Sequence, residues 1–497
     1  MADINPYLWI VVVGAFVSFL TGAGVGMNDL ANAFGTTYGA RILTFSQIVI
    51  LASICEFAGS VSLGGEVTST ISGGIANPGD FKGKPYVFMY GMLCACGAAF
   101  CWLAVATWLR LPVSSTHSIC GGVLGFALVF GGGDAVNWAA RKDDFPFVSG
   151  VAPIIASWFI SPLLTGAVSA LVYGTVRFFV LRPANAAKRA MYTLPIIVAV
   201  AFFLESFFVL YKGASKRLHW SVDKAACVAA CIGGCAGLIS CAFIPLLKRL
   251  VARDEARALA AASEQPNGAE NNIEDGLKRE PTALEEAPKP KEVTGDVVTE
   301  SESSDAEAPQ ENRITGASGL EVQVYDSRAE RVFRYLQVFT AICASFAHGA
   351  SDVSNAVGPL AAIYQVYQSS DVSKNTSVPI WVLCLGGAGI VVGLATFGMR
   401  LMRLLGEDLT VITPSRGFSA ELSAALVVSF ASGYGIPVSS THCITGGVVG
   451  ISVVDVSFLN IRWMMVLKMY AGWVFTLVIT AIISATFFTQ GINAPSL

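Results

Sequence analysis

Two stretches of this chain carry the same chemistry at the same spacing. Asp29 and Asn32 lie in Gly26-Met27-Asn28-Asp29-Leu30-Ala31-Asn32-Ala33-Phe34-Gly35. Asp352 and Asn355 lie in Gly349-Ala350-Ser351-Asp352-Val353-Ser354-Asn355-Ala356-Val357-Gly358. A spacing of three sets carboxylate and amide one turn apart on one helix face. Carboxylate, amide, hydroxyl and backbone oxygens are the ligands of small hard cations, so each stretch is a candidate cation site. Neither contains Lys or Arg, and a carboxylate isolated in apolar surroundings demands a positive partner. Gly22, Gly24 and Gly26 beside the first stretch, and Gly349, Gly358 and Pro359 in the second, predict a break in each helix that frees carbonyls for ligation.

A second phrase follows each copy: Leu111-Pro112-Val113-Ser114-Ser115-Thr116-His117 and Ile436-Pro437-Val438-Ser439-Ser440-Thr441-His442. Pro suits the first turn of a helix. Hydroxyls from Ser114, Ser115, Thr116, Ser439, Ser440 and Thr441, set beside free N–H groups at a helix's positive end, would form two anion cradles. Asp29 to Pro112 is 83 positions and Asp352 to Pro437 is 85. Two phrases in the same order at nearly the same separation indicate an internal duplication. Cations would neutralise the aspartates and the anion together, which describes a cation-coupled anion carrier.

The elements that must hold these residues are membrane helices. The chain has 497 residues, of which 54% are hydrophobic and 13% charged, too apolar for a soluble protein of this length. A span needs about 20 apolar residues. Candidate segments lie at about 8–26, 42–63, 86–109, 112–132, 149–180, 192–211 and 225–247, then at 335–363, 378–399, 418–434, 437–455 and 464–489. The expected fold is therefore an all-α polytopic membrane protein of about 12 segments. The segments at Pro112 and Pro437 follow their predecessors almost without a loop. Each is read as part of a re-entrant helical hairpin, because irregular backbone at membrane depth must line a cavity or be buried in protein.

Charge gathers in one place. Residues 248–334 hold 31 of the 67 charged side chains. The interval is rich in Glu, Asp, Ser, Ala and Pro, a composition too polar to bury a core. The expected organisation is a first repeat with extra spans over 1–250, a disordered acidic linker over 251–330 and a second repeat over 331–497. Arg and Lys flanking the linker place it in the cytoplasm by the positive-inside rule. The sequon at Asn375 then falls outside, although its nearness to the next span argues equally for an unmodified residue. No basic stripe suggests nucleic acid. The 12 Cys show no metal or redox spacing, and Cys227, Cys231 and Cys235, four apart, read as small thiols packed between helices. Glu56 and Glu421 lie mid-span, where an idle carboxylate is costly. They break the repeat: registered on the second phrase, Cys96 stands opposite Glu421. His117, His348 and His442 all adjoin the phrases. Orientation by hydrogen bonding is the simpler role for them, and proton coupling the alternative.

The two phrases resemble the Gly-x-Asn-Asp-Val-x-Asn-Ala and Pro-Val-Ser-x-Thr-His signatures of the inorganic phosphate transporter family, the sodium- or proton-coupled phosphate symporters. Trp158-Phe159-Ile160-Ser161-Pro162 and the stretch from Gly417 to Glu421 are further shared landmarks. The resemblance covers most of both membrane halves and not the linker. It implies inverted repeats, a large cytoplasmic loop and a central phosphate site flanked by cation sites. It carries over coupling roles to Asp29, Glu56, Asp352 and Glu421, and phosphate contact to the six hairpin hydroxyls. Na⁺ would sit at Asp29, Asn32, Asp352 and Asn355. The chain departs at Met27, where the family usually has Ala, and at Ser351, where it usually has Asn, which bears on cation identity or affinity at the second site.

The function expected is symport of inorganic phosphate with Na⁺ or H⁺ by alternating access, with no cofactor and no enzymatic activity. The plasma membrane is the default location, and an internal acidic compartment the alternative. Three other readings stay open: a carrier of another tetrahedral oxyanion, a non-transporting sensor that signals through the linker, and an intramembrane hydrolase using Ser115 or Ser440. Oligomeric state, a homodimer included, is left open by the sequence.

Overall fold

The computed structural model describes residues 5–143, 145–213, 220–263, 313–315, 321–372, 378–403, 412–455, 458 and 461–494. Fifteen α-helices run through them. In chain order they are α1 (Leu8–Gly39), α2 (Phe45–Leu63), α3 (Gly65–Gly74), the single turn α4 (Pro78–Phe81), α5 (Pro85–Trp108), α6 (Ser115–Gly131), α7 (Val151–Val176), α8 (Ala186–Phe208) and α9 (Val222–Ser263). After the interval 264–312 come α10 (Ser327–Ser369), α11 (Ile380–Phe397), the short α12 (Met399–Arg403), α13 (Pro414–Gly433), α14 (Ser440–Asp455) and α15 (Trp463–Ile492). Two small antiparallel ribbons complete the chain: β1 (Ala140–Arg141) with β2 (Val148–Ser149), and β3 (Arg313–Thr315) with β4 (Glu321–Gln323).

Among the described residues nine helices are long and apolar enough to cross a membrane: α1, α2, α5, α6, α7, α8, α9, α11 and α15. The other three expected segments, 335–363, 418–434 and 437–455, are helical too, within α10, α13 and α14, but fall short of that length or apolar content. The chain has the fold of a helical membrane protein. Within 251–330, α9 runs on to Ser263, β3 and β4 form a ribbon, and α10 starts at Ser327. The rest of the expected disordered linker, at 264–312 and 316–320, lies outside the described residues, as does Asn375. The helical unit comprises residues 1–244 and 313–497, and Pro245 to Asn312 form a separate unit.

The two helices bearing the Asp-x-x-Asn stretches, α1 and α10, pack directly on each other. α11 lies along α1, α2 lies along α10 and α11, and α13 lies along α10. α5 and α6 pack together against α15, while α14 packs on α7 and α13. Water gives no drive for helices to associate in lipid, so close packing of small residues must supply it. Gly22 and Gly26 of α1 face Gly389 and Gly393 of α11. A Cβ on Gly26 would run into the Ile390 carbonyl, and one on Gly393 into the Ala23 carbonyl. On α10, a Cβ on Gly349 would meet the Glu56 backbone of α2.

These contacts overturn one expectation. The glycines and Pro359 do not break the motif helices: α1 runs 32 residues and α10 runs 43, with Pro359 inside it. The glycines are used for backbone approach, so both helices run on unbroken, and the one carbonyl left without its helical donor is that of Asn355, because Pro359 has no N–H to offer it. A second expectation fails at the periphery. Cys227, Cys231 and Cys235 are exposed, not packed, because the apolar part of α9 stands at the edge with only 17% of its residues buried. A uniformly apolar helix is equally content against lipid.

Gly393→Val is expected to destabilise the protein by roughly 1–3 kcal/mol through overpacking, measured as a lower melting temperature in detergent. A wild-type melting temperature would show that α1 and α11 do not depend on this approach.

Candidate substrate and cation site

Asp29 and Asp352 are both 0% exposed. Each is bonded by its own amide one turn on: Asn32 Nδ2 donates to Asp29 Oδ1 (3.0 Å), and Asn355 Nδ2 to Asp352 Oδ1 (2.6 Å). The amides then cross to the opposite repeat. Asn32 Nδ2 donates to Ser440 Oγ (3.2 Å) and Thr441 Oγ1 (2.9 Å), while Asn355 Nδ2 donates to Ser115 Oγ (3.2 Å) and Thr116 Oγ1 (3.2 Å). Ser115 Oγ also reaches Asp352 Oδ1 at 3.5 Å. Thr116 Oγ1 donates to the Val438 carbonyl at 3.1 Å, tying one hairpin turn to the other. Eight of the twelve candidate residues are thereby joined, with the amide of each half bonded to hydroxyls of the other.

Ser114 and Ser439 hold a different place. Helices α6 and α14 begin at Ser115 and Ser440, three residues after the prolines and not at them. Ser114 Oγ accepts from His117 N–H at 3.3 Å and Ser439 Oγ from His442 N–H at 3.4 Å. Both serines therefore work as N-caps. The prolines instead keep the preceding turn extended, since a residue before Pro avoids the helical region. The helix N-termini still open beside Asn32 and Asn355, where a partial positive charge favours an anion.

A residue that the sequence marked only as adjoining a phrase sits at the centre. His348 Nδ1 is 2.8 Å from Glu56 Oε2, and Nε2 is 2.9 Å from Asp352 Oδ2 and 3.9 Å from Asp29 Oδ2. The Nε2 contact with Asp352 is one of charge distance without hydrogen-bond alignment, so both atoms lack a bonded partner. His348 is thus the one group beside the carboxylates that can take up a positive charge, and its position four residues before Asp352 on one helix was the signal for it. One imidazole cannot balance three carboxylates. Ligand atoms of Asp29, His348 and Asp352 lie within 4.8 Å of one another. Two like charges at that separation repel by about 3 kcal/mol at an effective dielectric of about 20. Asp29 Oδ2, Asp352 Oδ2, Glu56 Oε1 and Asn355 Oδ1 are buried and accept no hydrogen bond. Such orphaned oxygens around surplus negative charge fit an incoming cation, or protons.

Glu421 stands apart from this cluster. Its carboxylate accepts from Thr36 Oγ1, Thr37 Oγ1 (2.8 Å) and Thr340 Oγ1 (2.8 Å), with Gln337 Nε2 at 3.4 Å. Thr36 is two turns beyond Asp29 on α1, about 10 Å along the axis. Cys96 occupies the reciprocal place on α5, where Thr21 Oγ1 and Ser18 Oγ lie 3.2 and 3.6 Å from its sulfur and the Ala356 carbonyl at 3.7 Å. The duplication thus keeps the position and changes the group. Thr36, Thr37, Gln337 and Thr340 were not visible as candidates in the sequence, because isolated hydroxyls in membrane helices usually bond their own backbone.

The other two histidines are held by orientation. His117 Nδ1 lies 2.7 Å from Ser114 Oγ, and its ring stacks on Trp158 at 3.8 Å. His442 Nδ1 donates to the Trp158 carbonyl at 3.1 Å, and its ring lies on Trp473 at 3.8 Å. The two imidazoles are 4.8 Å apart between the phrases.

The phosphate transporter family matches the chain over residues 25–484, a span that contains all twelve candidate site residues and His348. The chain belongs to this family. The resemblance carried by the two phrases therefore holds. The chain is 29% identical to the phosphate-repressible phosphate permease of Neurospora crassa, over 99% of each chain. It is 34% identical to inorganic phosphate transporter 2-1, chloroplastic, of Arabidopsis thaliana, over 93% of this chain and 69% of that one. A solved structure titled the sodium-dependent phosphate transporter superposes with a TM-score of 0.74 at 27% identity, covering 98% of this chain and 100% of that one. The relatives are named as transporters or permeases, and this family member is a transporter, not an enzyme.

His348→Ala is expected to lower the melting temperature, at a cost of about 3–5 kcal/mol for breaking a buried ion pair. Adding Glu56→Gln should recover part of that loss, because it removes one of the charges left unpaired. Additive losses in the double variant would show that the two side chains act separately.

Proposed function

We propose that the protein carries inorganic phosphate across a membrane as a symporter driven by Na⁺ or H⁺. The observation that carries this reading is the reciprocal bonding of Asn32 and Asn355 to the hydroxyls of the opposite repeat, around two aspartates with unpaired oxygens. Such reciprocity is what two repeats of inverted orientation would produce, with a substrate between them and helical hairpins α5–α6 and α13–α14 supplying the cradles. The relatives' names add phosphate for all of those cited, and sodium for the solved one.

In this reading cations enter first. They bind Asp29 with Asn32 and Asp352 with Asn355, and offset the surplus charge that His348 leaves. Glu56 and Glu421 are coupling carboxylates, the first through His348 and the second through its ring of hydroxyls. The amides then release Ser115, Thr116, Ser440 and Thr441, whose hydroxyls turn to the phosphate oxygens. Ser114 and Ser439 hold the two helix N-termini open to the same anion. The filled site is nearly neutral, and only then can one bundle rock against the other at tolerable electrostatic cost. Residues 1–250 and 331–497 are the two repeats, with 251–330 a cytoplasmic linker. The default location is the plasma membrane, and an internal acidic compartment is the alternative.

The test is radiolabelled phosphate uptake into cells lacking their own carriers, with Na⁺ replaced by choline, at about pH 5.5 and about pH 7.5 on either side of the usual His value. Uptake that needs Na⁺ assigns Na⁺ to the aspartates, and uptake that ignores Na⁺ and rises in acid assigns protons. Asp29→Asn and Asp352→Asn should each abolish coupled uptake while leaving the protein folded and inserted. Wild-type uptake in either variant, or none by correctly inserted wild-type protein under any gradient, would overturn the reading.

A further inference from the structure

Asn28 precedes Asp29, yet its amide is spent on the turn that leads into α6. Nδ2 donates to Thr107 Oγ1 (3.3 Å) and to the Leu111 carbonyl (3.1 Å), and Oδ1 accepts from Val113 N–H (3.1 Å). These three bonds fasten the turn of the first hairpin to α1, one residue from the aspartate that faces the site.

The second repeat has the same turn without the clamp. Registered on Asp29 and Asp352, Asn28 corresponds to Ser351. Registered on Pro112 and Pro437, Thr107, Leu111 and Val113 correspond to Ser432, Ile436 and Val438. Among the described residues no hydrogen bond joins the Ser351 side chain to this turn, and Ser432 Oγ is buried without a partner. A buried hydroxyl left unbonded is unfavourable, and this one corresponds in register to Thr107, the hydroxyl that Asn28 bonds in the first repeat. The second turn is instead held by neighbours. Thr70 Oγ1 of α3 donates to the Gly435 carbonyl (2.8 Å), and Ser157 Oγ of α7 to the Pro437 carbonyl (3.0 Å).

We propose that Asn28 is a positioning residue that fixes the first anion cradle to its motif helix, and that Ser351 leaves the second cradle unfastened from its own motif helix α10, making α13–α14 the hairpin that moves relative to that helix during transport. The inference rests on the carrier reading above. A fixed cradle meets the anion already ordered, while an unfastened one must be ordered by the anion, which weakens binding and eases release. Asn28 and Ser351 thus act through the turns, and the hydroxyls of the cradles touch the substrate.

Ser351→Asn should supply the missing clamp. In phosphate uptake it is expected to lower KM and to lower the maximal rate, each by about fivefold, the worth of roughly one net hydrogen bond. Ser432→Ala alone should leave both parameters unchanged, and in the Ser432→Ala background the Ser351→Asn effect should shrink, because its hydroxyl partner is gone. Asn28→Ser should raise KM by a similar factor at wild-type levels of inserted protein, which keeps the test alive if Ser351→Asn fails to fold. Unchanged kinetics in Ser351→Asn or in Asn28→Ser, beside an active wild type, or a Ser351→Asn effect indifferent to Ser432, would overturn the inference alone. A wild type that accumulates no phosphate would overturn the carrier reading and the inference together.

Discussion

Three carboxylates share one imidazole in the interior of this molecule. Asp29, Asp352 and Glu56 converge on His348, and all four side chains are cut off from water. The low dielectric that makes the His348 contacts strong makes the surplus negative charge equally severe. A structural ion pair would be better served by equal numbers of each sign, or by apolar groups of the same volume. Such a cluster is held only where the carboxylates take up protons or a cation arrives to offset them.

The packing serves that convergence. The carboxylates meet because α1 approaches α11, and α2 approaches α10, at backbone distance, and they do so because glycines at these contacts leave room for the neighbouring backbone. Gly349 lies against the Glu56 backbone, one residue after His348, so the residue that lets α2 approach α10 also delivers Glu56 to the imidazole. Helices α1 and α10 remain unbroken through this region, with Pro359 inside α10.

The duplication is close in position and uneven in chemistry. Asn32 and Asn355 make the same crossed bonds. Elsewhere the two halves differ at equivalent places: Cys96 against Glu421, Val25 against His348, Asn28 against Ser351. An arrangement of two identical halves would have no reason to favour one opening over the other. Unequal side chains at equal positions give each half its own charge and its own hold on its hairpin.

Much of this was legible in the sequence, for physical reasons that can be named. Long apolar runs must become helices because lipid offers the backbone no partner, and a repeated Asp-x-x-Asn must present both groups on one helix face. The helices and the pairing of each aspartate with its amide follow from those local rules, the repeat from the recurrence of the two phrases, and the family from their resemblance to its signatures. The tertiary structure decided what local spacing cannot express. His348 joins carboxylates 319 and 292 positions away and one four positions on. Asn32 bonds hydroxyls more than 400 positions away. Glycines that read as helix breakers became contact surfaces, since the cost of a break is avoided whenever a neighbouring backbone can fill the space instead. Periodicity along a chain determines which face a side chain takes, and only packing between helices determines what that face meets.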